Sequence, residues 1–339
     1  MNKSKIEWCD HTWNPVTGCL HNCRYCYAKS MTTRFSGNVR RNKMAMDSYR
    51  QLNQDGRKLY VLENPMVNET GHNLVYPFGF EPTLHKYRLD YPEKLKMGNN
   101  IFVGAMADIF GEWVPDEWIT EIFDVCAQHP IHNYLFLTKN PKRYWNLEEK
   151  GLLPCGENIW YGFSYTDNNC QSWSSMQGDK NSFVSVEPLL EDLMMFDEAV
   201  LCPAAKWVIV GAETGKHRDK VIPDKAWIDK IVRHCDRFKI PVFMKDSLIP
   251  IVGEENMRRE FPKALQRHEI SEKMENRLYD VCCTCGAYLK KGEMVTLSAR
   301  SRRRECAKNF CYMCTDCFEE FCKEKGIEIP KLAYQEEER

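Results

Sequence analysis

The sequence predicts an α/β protein: a TIM-like barrel, partial or full, followed by a small cysteine-rich metal-binding module. Three observations carry this. From about residue 74, short apolar runs alternate with amphipathic helical stretches. Nearly every run ends in a polar or charged residue, the side of a barrel where chemistry collects. Near residue 281 the composition breaks, and residues 281–322 hold eight cysteines.

The runs follow in order. "TWNPVTGC" (12–19) reads as the first strand and "VYPFGFEPTLH" (75–85) as the second. "NIFVGAMADIF" (100–110), "NYLFLTKNPKR" (133–143), "NIWYGFSYTD" (158–167), "SFVSVEPLLEDL" (182–193), "KWVIVGAET" (206–214) and "IPVFMKDS" (240–247) complete eight. Near-continuous apolar blocks are expected of parallel strands buried on both faces. "VPDEWITEIFDVCAQHP" (114–130) and "IPDKAWIDKIVRHCDRF" (222–238) read as helices, each opened by a Pro-Asp pair. The strand-end residues are Glu81, Asp108, Thr138 with Lys139, Ser164, Glu187, Glu213 and Lys245. Residues 1–262 form the expected barrel, 263–280 a charged linker, and 281–339 the cysteine-rich module with an acidic tail.

Composition sets the class. A chain of 339 residues with 43% hydrophobic and 12% aromatic residues can bury a large core. A net charge of −1 gives no global pull toward nucleic acid or membrane, though a local basic patch stays open. No run reaches the eighteen or so apolar residues of a membrane span. The N-terminal "MNKSKIEWCD" lacks the apolar core of a secretory signal. The expectation is a cytoplasmic protein without a membrane partner. In a reducing compartment, clustered members of its 17 cysteines bind metal rather than pair as disulfides.

The decisive stretch is "GCLHNCRYCYAKS" (18–30), with Cys19, Cys23 and Cys26 spaced C-x3-C-x2-C. A cubane iron–sulfur cluster wants four thiolates. Three on one loop can hold three irons and leave the fourth open for an exchangeable ligand. The alternative is a zinc site completed by His11, His21 or Cys9.

This stretch resembles the signature of radical S-adenosylmethionine enzymes, including the aromatic Tyr25 before the last cysteine. "GFEPTLH" (79–85) resembles that superfamily's G-G-E-P motif, with Phe80 in place of the second glycine. The resemblance implies a [4Fe–4S] cluster on Cys19, Cys23 and Cys26 and S-adenosylmethionine on the open iron. It implies that Glu81 and backbone around Gly79 hold the cofactor's methionine, and that an external electron donor reduces the cluster. By strand-end position alone, Thr138 and Ser164 are expected at its ribose or adenine. Glu187, Glu213 and Lys245 are expected to serve substrate binding or proton transfer, with Lys139 and Asp108 behind them. "SKIEWCDHTWNPVTGC", "MADIFGEWVPDEWI", "LFLTKNPKR", "VSVEPLL", "WVIVGAETG" and "PVFMKDS" further resemble a phage-associated radical-SAM-like family of unknown function. That resemblance implies a three-Cys-motif partner protein.

In the tail, Cys282-x2-Cys285 and Cys314-x2-Cys317 are two knuckles with the spacing of a zinc-ribbon-like site. Cys311-x2-Cys314 is a competing knuckle, and a second iron–sulfur cluster is the rival metal. Arg300, Arg302, Arg303 and Arg304 lie between the knuckles and either grip phosphates or form a solvated loop. The resulting expectation is a radical enzyme acting on a nucleic acid or nucleobase. The alternatives are a peptide or protein substrate, or a non-catalytic zinc-stabilised binding protein.

Overall fold

In the apolar runs, every second residue points to the same face, and the two faces meet different partners. The computed structural model describes residues 2–45, 50–54, 56–95, 97–175, 178–215 and 220–266, then 279–281, 288–290, 295–298, 310–313 and 315–327. Two compact units result, Met1–Ile270 and Ser271–Arg339.

The first unit begins with β1 (Asn2–Lys3), β2 (His11–Trp13) and β3 (Val16–Thr17). Helices α1 (Tyr27–Phe35) and α2 (Val39–Met44) follow, then β4 (Arg50–Gln54), β5 (Arg57–Leu62) and β6 (Thr83–His85). The remainder alternates: β7 (Asn100–Val103), α3 (Asp116–Gln128), β8 (Asn133–Thr138), α4 (Lys142–Glu149), β9 (Ile159–Ser164), β10 (Asn181–Val186), β11 (Val208–Val210), α5 (Lys225–Phe238) and β12 (Val242–Met244).

The main sheet has the order β1-β2-β7-β8-β9-β10-β11-β12. Its seven strands from β2 to β12 run parallel, and β1 adds an antiparallel edge. Among the described residues β12 pairs with β11 alone within this sheet, so the sheet curves as a half-barrel and does not close. Of the two barrel forms expected, the partial one is present.

Helices α3 and α5 lie where the sequence places them. Asp116 and Glu117 occupy the first turn of α3, and Asp224 caps α5 through the backbone N–H of Ala226 at 2.8 Å. Their apolar sides, Ile119, Ile122 and Phe123 on α3 and Ile228 and Ile231 on α5, pack on one sheet face with Val103, Phe136, Tyr161, Val186 and Val210. The alternate strand residues Phe102, Leu135, Trp160, Phe183, Ile209 and Phe243 form a second core on the opposite face, joined by Trp8 and Leu265. A one-residue slip in register would exchange these two sets, which pins the strands.

One expected strand is corrected. The run 75–85 contributes only Thr83–His85, and that strand belongs to a second, four-stranded sheet of order β3-β6-β5-β4. The strand beside β2 in the barrel is β7. An apolar run shows that a strand is buried, but not which sheet takes it.

The second unit contains two antiparallel pairs, Tyr279–Val281 with Tyr288–Lys290 and Val295–Ser298 with Phe310–Met313, and a helix over Thr315–Lys325 that buries Phe318 and Cys322. Cys317 lies in the first turn of that helix. Cys282, Cys285, Cys314 and Arg300, Arg302, Arg303 and Arg304 lie outside the described residues. No described helix is long and apolar enough to cross a membrane.

Candidate functional site

The cysteine loop leaves the barrel after β2 and is clamped from two sides by backbone. The Gly18 N–H donates to the Met106 carbonyl at 2.9 Å, and the Cys19 N–H to the Phe80 carbonyl at 3.2 Å. Gly18 has φ +88°, and a Cβ there would lie 2.3 Å from the Glu81 carbonyl oxygen. Only glycine allows this approach. Tyr27 opens α1 and donates its hydroxyl to the Ala105 carbonyl at 2.7 Å, tying the helix to the loop after β7.

A cavity of about 590 Å³ lies between this loop and the strand ends, a volume ordinary for a small-molecule site. Cys19, Cys23 and Cys26 all line it, and none forms a disulfide. The strand ends supply Thr138, Lys139, Ser164, Glu187, Glu213 and Lys245. Residues more than a hundred positions apart in sequence thus face one space, because every parallel strand ends on the same side.

Each polar group has a distinct environment. Asp108 is buried and accepts from four donors: His21 Nε2 at 2.7 Å, the Thr138 hydroxyl at 2.8 Å, and the backbone N–H groups of Lys139 at 2.9 Å and Phe110 at 3.0 Å. It is the organising carboxylate of the wall and links the cysteine loop to β8. Thr138 Oγ also accepts from the Asn140 N–H at 2.9 Å, so its hydroxyl is engaged on both sides. Lys139 donates to the Tyr25 hydroxyl at 2.9 Å, with its ammonium 5.0 Å from the ring centroid.

Across the cavity, Lys245 and Glu187 form an ion pair. Gly211 makes room for it: a Cβ there would lie 3.2 Å from Lys245 Cδ and 3.3 Å from Glu187 Cγ. Glu213 is 6% exposed, and its Oε2 is buried without a hydrogen-bond partner among the described residues. A buried carboxylate oxygen left unpaired is costly, and facing a cavity it is placed to accept a hydrogen bond from whatever enters.

Burial keeps two of the three thiols protonated. Burial pushes Cys19 up to about 12, with the Asp108 charge adding to it. Burial likewise raises Cys23. Neither is a free nucleophile at neutral pH, and a bound metal would be what deprotonates them. Among the described residues no group of three or more His, Cys, Asp or Glu side chains is placed to hold a metal ion. Of the alternative fourth ligands, His21 is bonded to Asp108, and Cys9 donates to the Ser4 hydroxyl at 3.3 Å.

Gly79 and Glu81 are not among the lining residues. Glu81 precedes β6 in the small sheet and pairs with Lys43. Residues 104–108, after the strand that does lie beside β2, line the cavity through Gly104, Ala105, Ala107 and Asp108. Sequence reasoning also passed over Arg24, Tyr27, Ser30 and Arg34, which line the cavity beside the cysteines. Their signal was available: residues 11–46 contain no Asp or Glu.

The chain belongs to a protein family of unknown function, DUF5131, whose profile matches residues 3–281. No curated protein matches the sequence. Solved structures with a similar course include a spore photoproduct lyase variant, with a TM-score of 0.39 and 11% identity over 72% of this chain and 78% of that one. Another is a spore photoproduct lyase variant with bound AdoMet and dinucleoside spore photoproduct, with a TM-score of 0.35 and 10% identity over 95% and 73%. These likenesses are too distant to carry chemistry from one chain to the other.

Proposed function

We propose that this family member is a radical S-adenosylmethionine enzyme. One observation carries the reading: a C-x3-C-x2-C loop leaves the first parallel strand of a half-barrel, and its three undisulfided cysteines face the same cavity as the polar strand ends. Cys19, Cys23 and Cys26 would hold a [4Fe–4S] cluster. With S-adenosylmethionine bound, that group supplies reductive cleavage to a 5′-deoxyadenosyl radical.

The chain's own residues orient and enclose. Backbone on both sides of the cysteine loop, residues 79–81 and 104–108, would hold the cofactor's methionine. Asp108 keeps His21 and the end of β8 in register with the loop. Ser164 stands at a strand end free to meet a ribose or base, whereas Thr138 is spent on Asp108 and Asn140. Glu213 would accept a hydrogen bond from a ligand, and the Lys245–Glu187 pair offers a donor and an acceptor beside it.

The substrate class we propose is a nucleic acid or nucleobase. Unpaired basic side chains at the cavity mouth support it, as does the Arg300, Arg302, Arg303 and Arg304 cluster of the sequence. In the tail, the Cys282, Cys285, Cys314 and Cys317 spacing supports zinc. An external reductant follows from the chemistry, and a three-Cys-motif partner protein from the family resemblance.

The test is anaerobic reconstitution. We expect a brown protein with about four irons on the barrel, and 5′-deoxyadenosine on addition of dithionite and S-adenosylmethionine. A colourless preparation that binds only zinc and forms no 5′-deoxyadenosine would sink the reading.

A further inference from the structure

Charge is unevenly placed along this chain. Residues 11–46 carry Arg24, Lys29, Arg34, Arg40, Arg41 and Lys43 and not one acidic residue, while the whole chain balances to −1. Arg41 pairs with Glu69 and Lys43 with Glu81. Arg24, Lys29, Arg34 and Arg40 are exposed and have no carboxylate partner among the described residues; Lys29 meets only the Asn22 side-chain oxygen, at 2.8 Å.

Helix α1 brings Arg34 to the cavity, where Arg24 also lies, and carries Lys29 nearby in sequence. Ala28 and Thr32 are its buried residues. Tyr27, Ser30 and Arg34 follow the i, i+3, i+7 spacing of one helix face, and all three line the cavity together with Arg24. Aromatic rings are interleaved with the cations. Tyr27 is 53% exposed and Phe35 52%. The Tyr27 hydroxyl is tucked onto the Ala105 carbonyl, which holds the ring at the rim.

Exposed rings among unpaired guanidinium and ammonium groups suit a flexible anionic polymer with flat bases: phosphates neutralise the cations and bases stack on the rings. The adjoining cavity has apolar sides, Trp8, Phe102 and Leu137 among them, against which a flat base can lie. Its far wall carries Glu187, Lys245 and the unpaired Glu213, groups that fit the hydrogen-bonding edge of a base.

We propose that Arg24, helix α1 and Arg40 at the start of α2 form a docking rim for single-stranded nucleic acid. Lys29, Arg34 and Arg40 take phosphates, Tyr27 and Phe35 stack bases, and one unpaired base enters the cavity over the cysteine loop. The inference deepens the proposed function and rests on it for the identity of the cavity.

The test uses the full, reconstituted chain and a short labelled single-stranded DNA, with anisotropy followed across a salt series. Wild type should bind with strong salt dependence. The Lys29→Ala/Arg34→Ala/Arg40→Ala variant should lower the slope of log K against log salt by about 2, near 0.7 per lost phosphate contact. Phe35→Ala should weaken binding about tenfold with the slope unchanged. Matching melting curves and iron content show that the variants are folded.

The rim is overturned if the triple variant keeps the wild-type slope while Arg300→Ala/Arg302→Ala/Arg303→Ala/Arg304→Ala abolishes binding. It is also overturned if wild type ignores the strand or prefers poly-glutamate, which would point to an acidic protein. The two readings fail separately. Formation of 5′-deoxyadenosine without strand binding removes the rim alone. Strand binding with the expected slopes but no 5′-deoxyadenosine keeps the rim and removes the radical chemistry.

Discussion

The two walls of the cavity are built by different forces. On the cysteine side, the loop is held by backbone: N–H groups of Gly18 and Cys19 reach carbonyls of Met106 and Phe80, and a glycine permits the contact. On the far side the backbone is paired too, Gly211 and Lys245 N–H to the Val186 and Val210 carbonyls, but what meets the cavity is side chain: the Lys245–Glu187 pair and the buried Glu213. A backbone clamp fixes position whatever side chains project from it. A charged wall is free to change its ligand by changing residues, and it tolerates substitution better. The cysteine wall is therefore the place where geometry matters, and the far wall the place to which the proposed function assigns specificity.

The sharpest break of this contrast is Cys23→Ala. Loss of one thiolate should reduce iron uptake and drop 5′-deoxyadenosine to background, with little change in melting temperature, since the thiol is at the cavity and not in the core. Iron analysis and product assay check it. Next is Gly18→Ala. A Cβ 2.3 Å from a backbone oxygen at φ +88° cannot be relieved by a rotamer change. We expect a loss of about 3 kcal/mol and poor cluster uptake, read by urea unfolding and iron content. A stable, iron-replete variant would mean that the clamp is not what fixes the cysteine wall.

Acid should loosen the same wall. His85 is fully buried, bonded through Nε2 to Thr17 at 2.8 Å and through Nδ1 to Tyr87 at 3.1 Å. Burial, then the nearby Arg88 charge, hold its pKa well below 6.5. A histidine held neutral contributes stability in full above the unfolded value near 6.5. That stability is lost as pH falls below it, because only the unfolded chain takes the proton readily. Amide protection of β3 and β6 should thus fall between pH 7 and 5, and His85→Gln should flatten the dependence. Unchanged protection would put the support of this wall elsewhere.

The far wall should behave in the opposite sense. Glu213→Gln removes a buried charge with an unpaired oxygen, so stability should rise by about 1 kcal/mol while turnover on substrate falls. Lower stability would instead make Glu213 a structural residue. The smallest effect is at the ion pair. Lys245→Met and Glu187→Met should each cost more than the pair together, with a coupling of about 1 kcal/mol because both side chains are partly exposed. Additive effects in a double-mutant cycle would remove the pair from the account.

Much of the half-barrel was legible in the sequence. The runs at 100–110, 133–143, 158–167, 182–193, 206–214 and 240–247 all contain strands of the parallel sheet, and the polar residues closing them gather at one cavity. Glu187, Glu213 and Lys245 could be placed there because a parallel strand has only one carboxyl end. The run 75–85 was misplaced, because "VYPFGF" is as apolar as a strand yet reaches β6 only at Thr83. Gly79 and Glu81 left the barrel with it, yet the backbone of Phe80 and Glu81 still lies against the cysteine loop, as do residues 104–108. The basic rim was equally visible as a carboxylate-free run, but a sequence does not say that such a run borders a cavity.

The sequence by itself determined the strand–helix alternation from residue 100 onward, the burial of those strands on both faces and the three closely spaced thiols. These depend on neighbours within a few residues, where periodicity and spacing are decisive. Tertiary structure alone decided which strand lies beside β2, that Asp108 collects His21, Thr138 and Lys139, and that Glu213 is left with an unpaired oxygen. Those outcomes depend on long-range packing, in which residues distant along the chain compete for the same space and the same hydrogen bonds, and no local pattern records who wins.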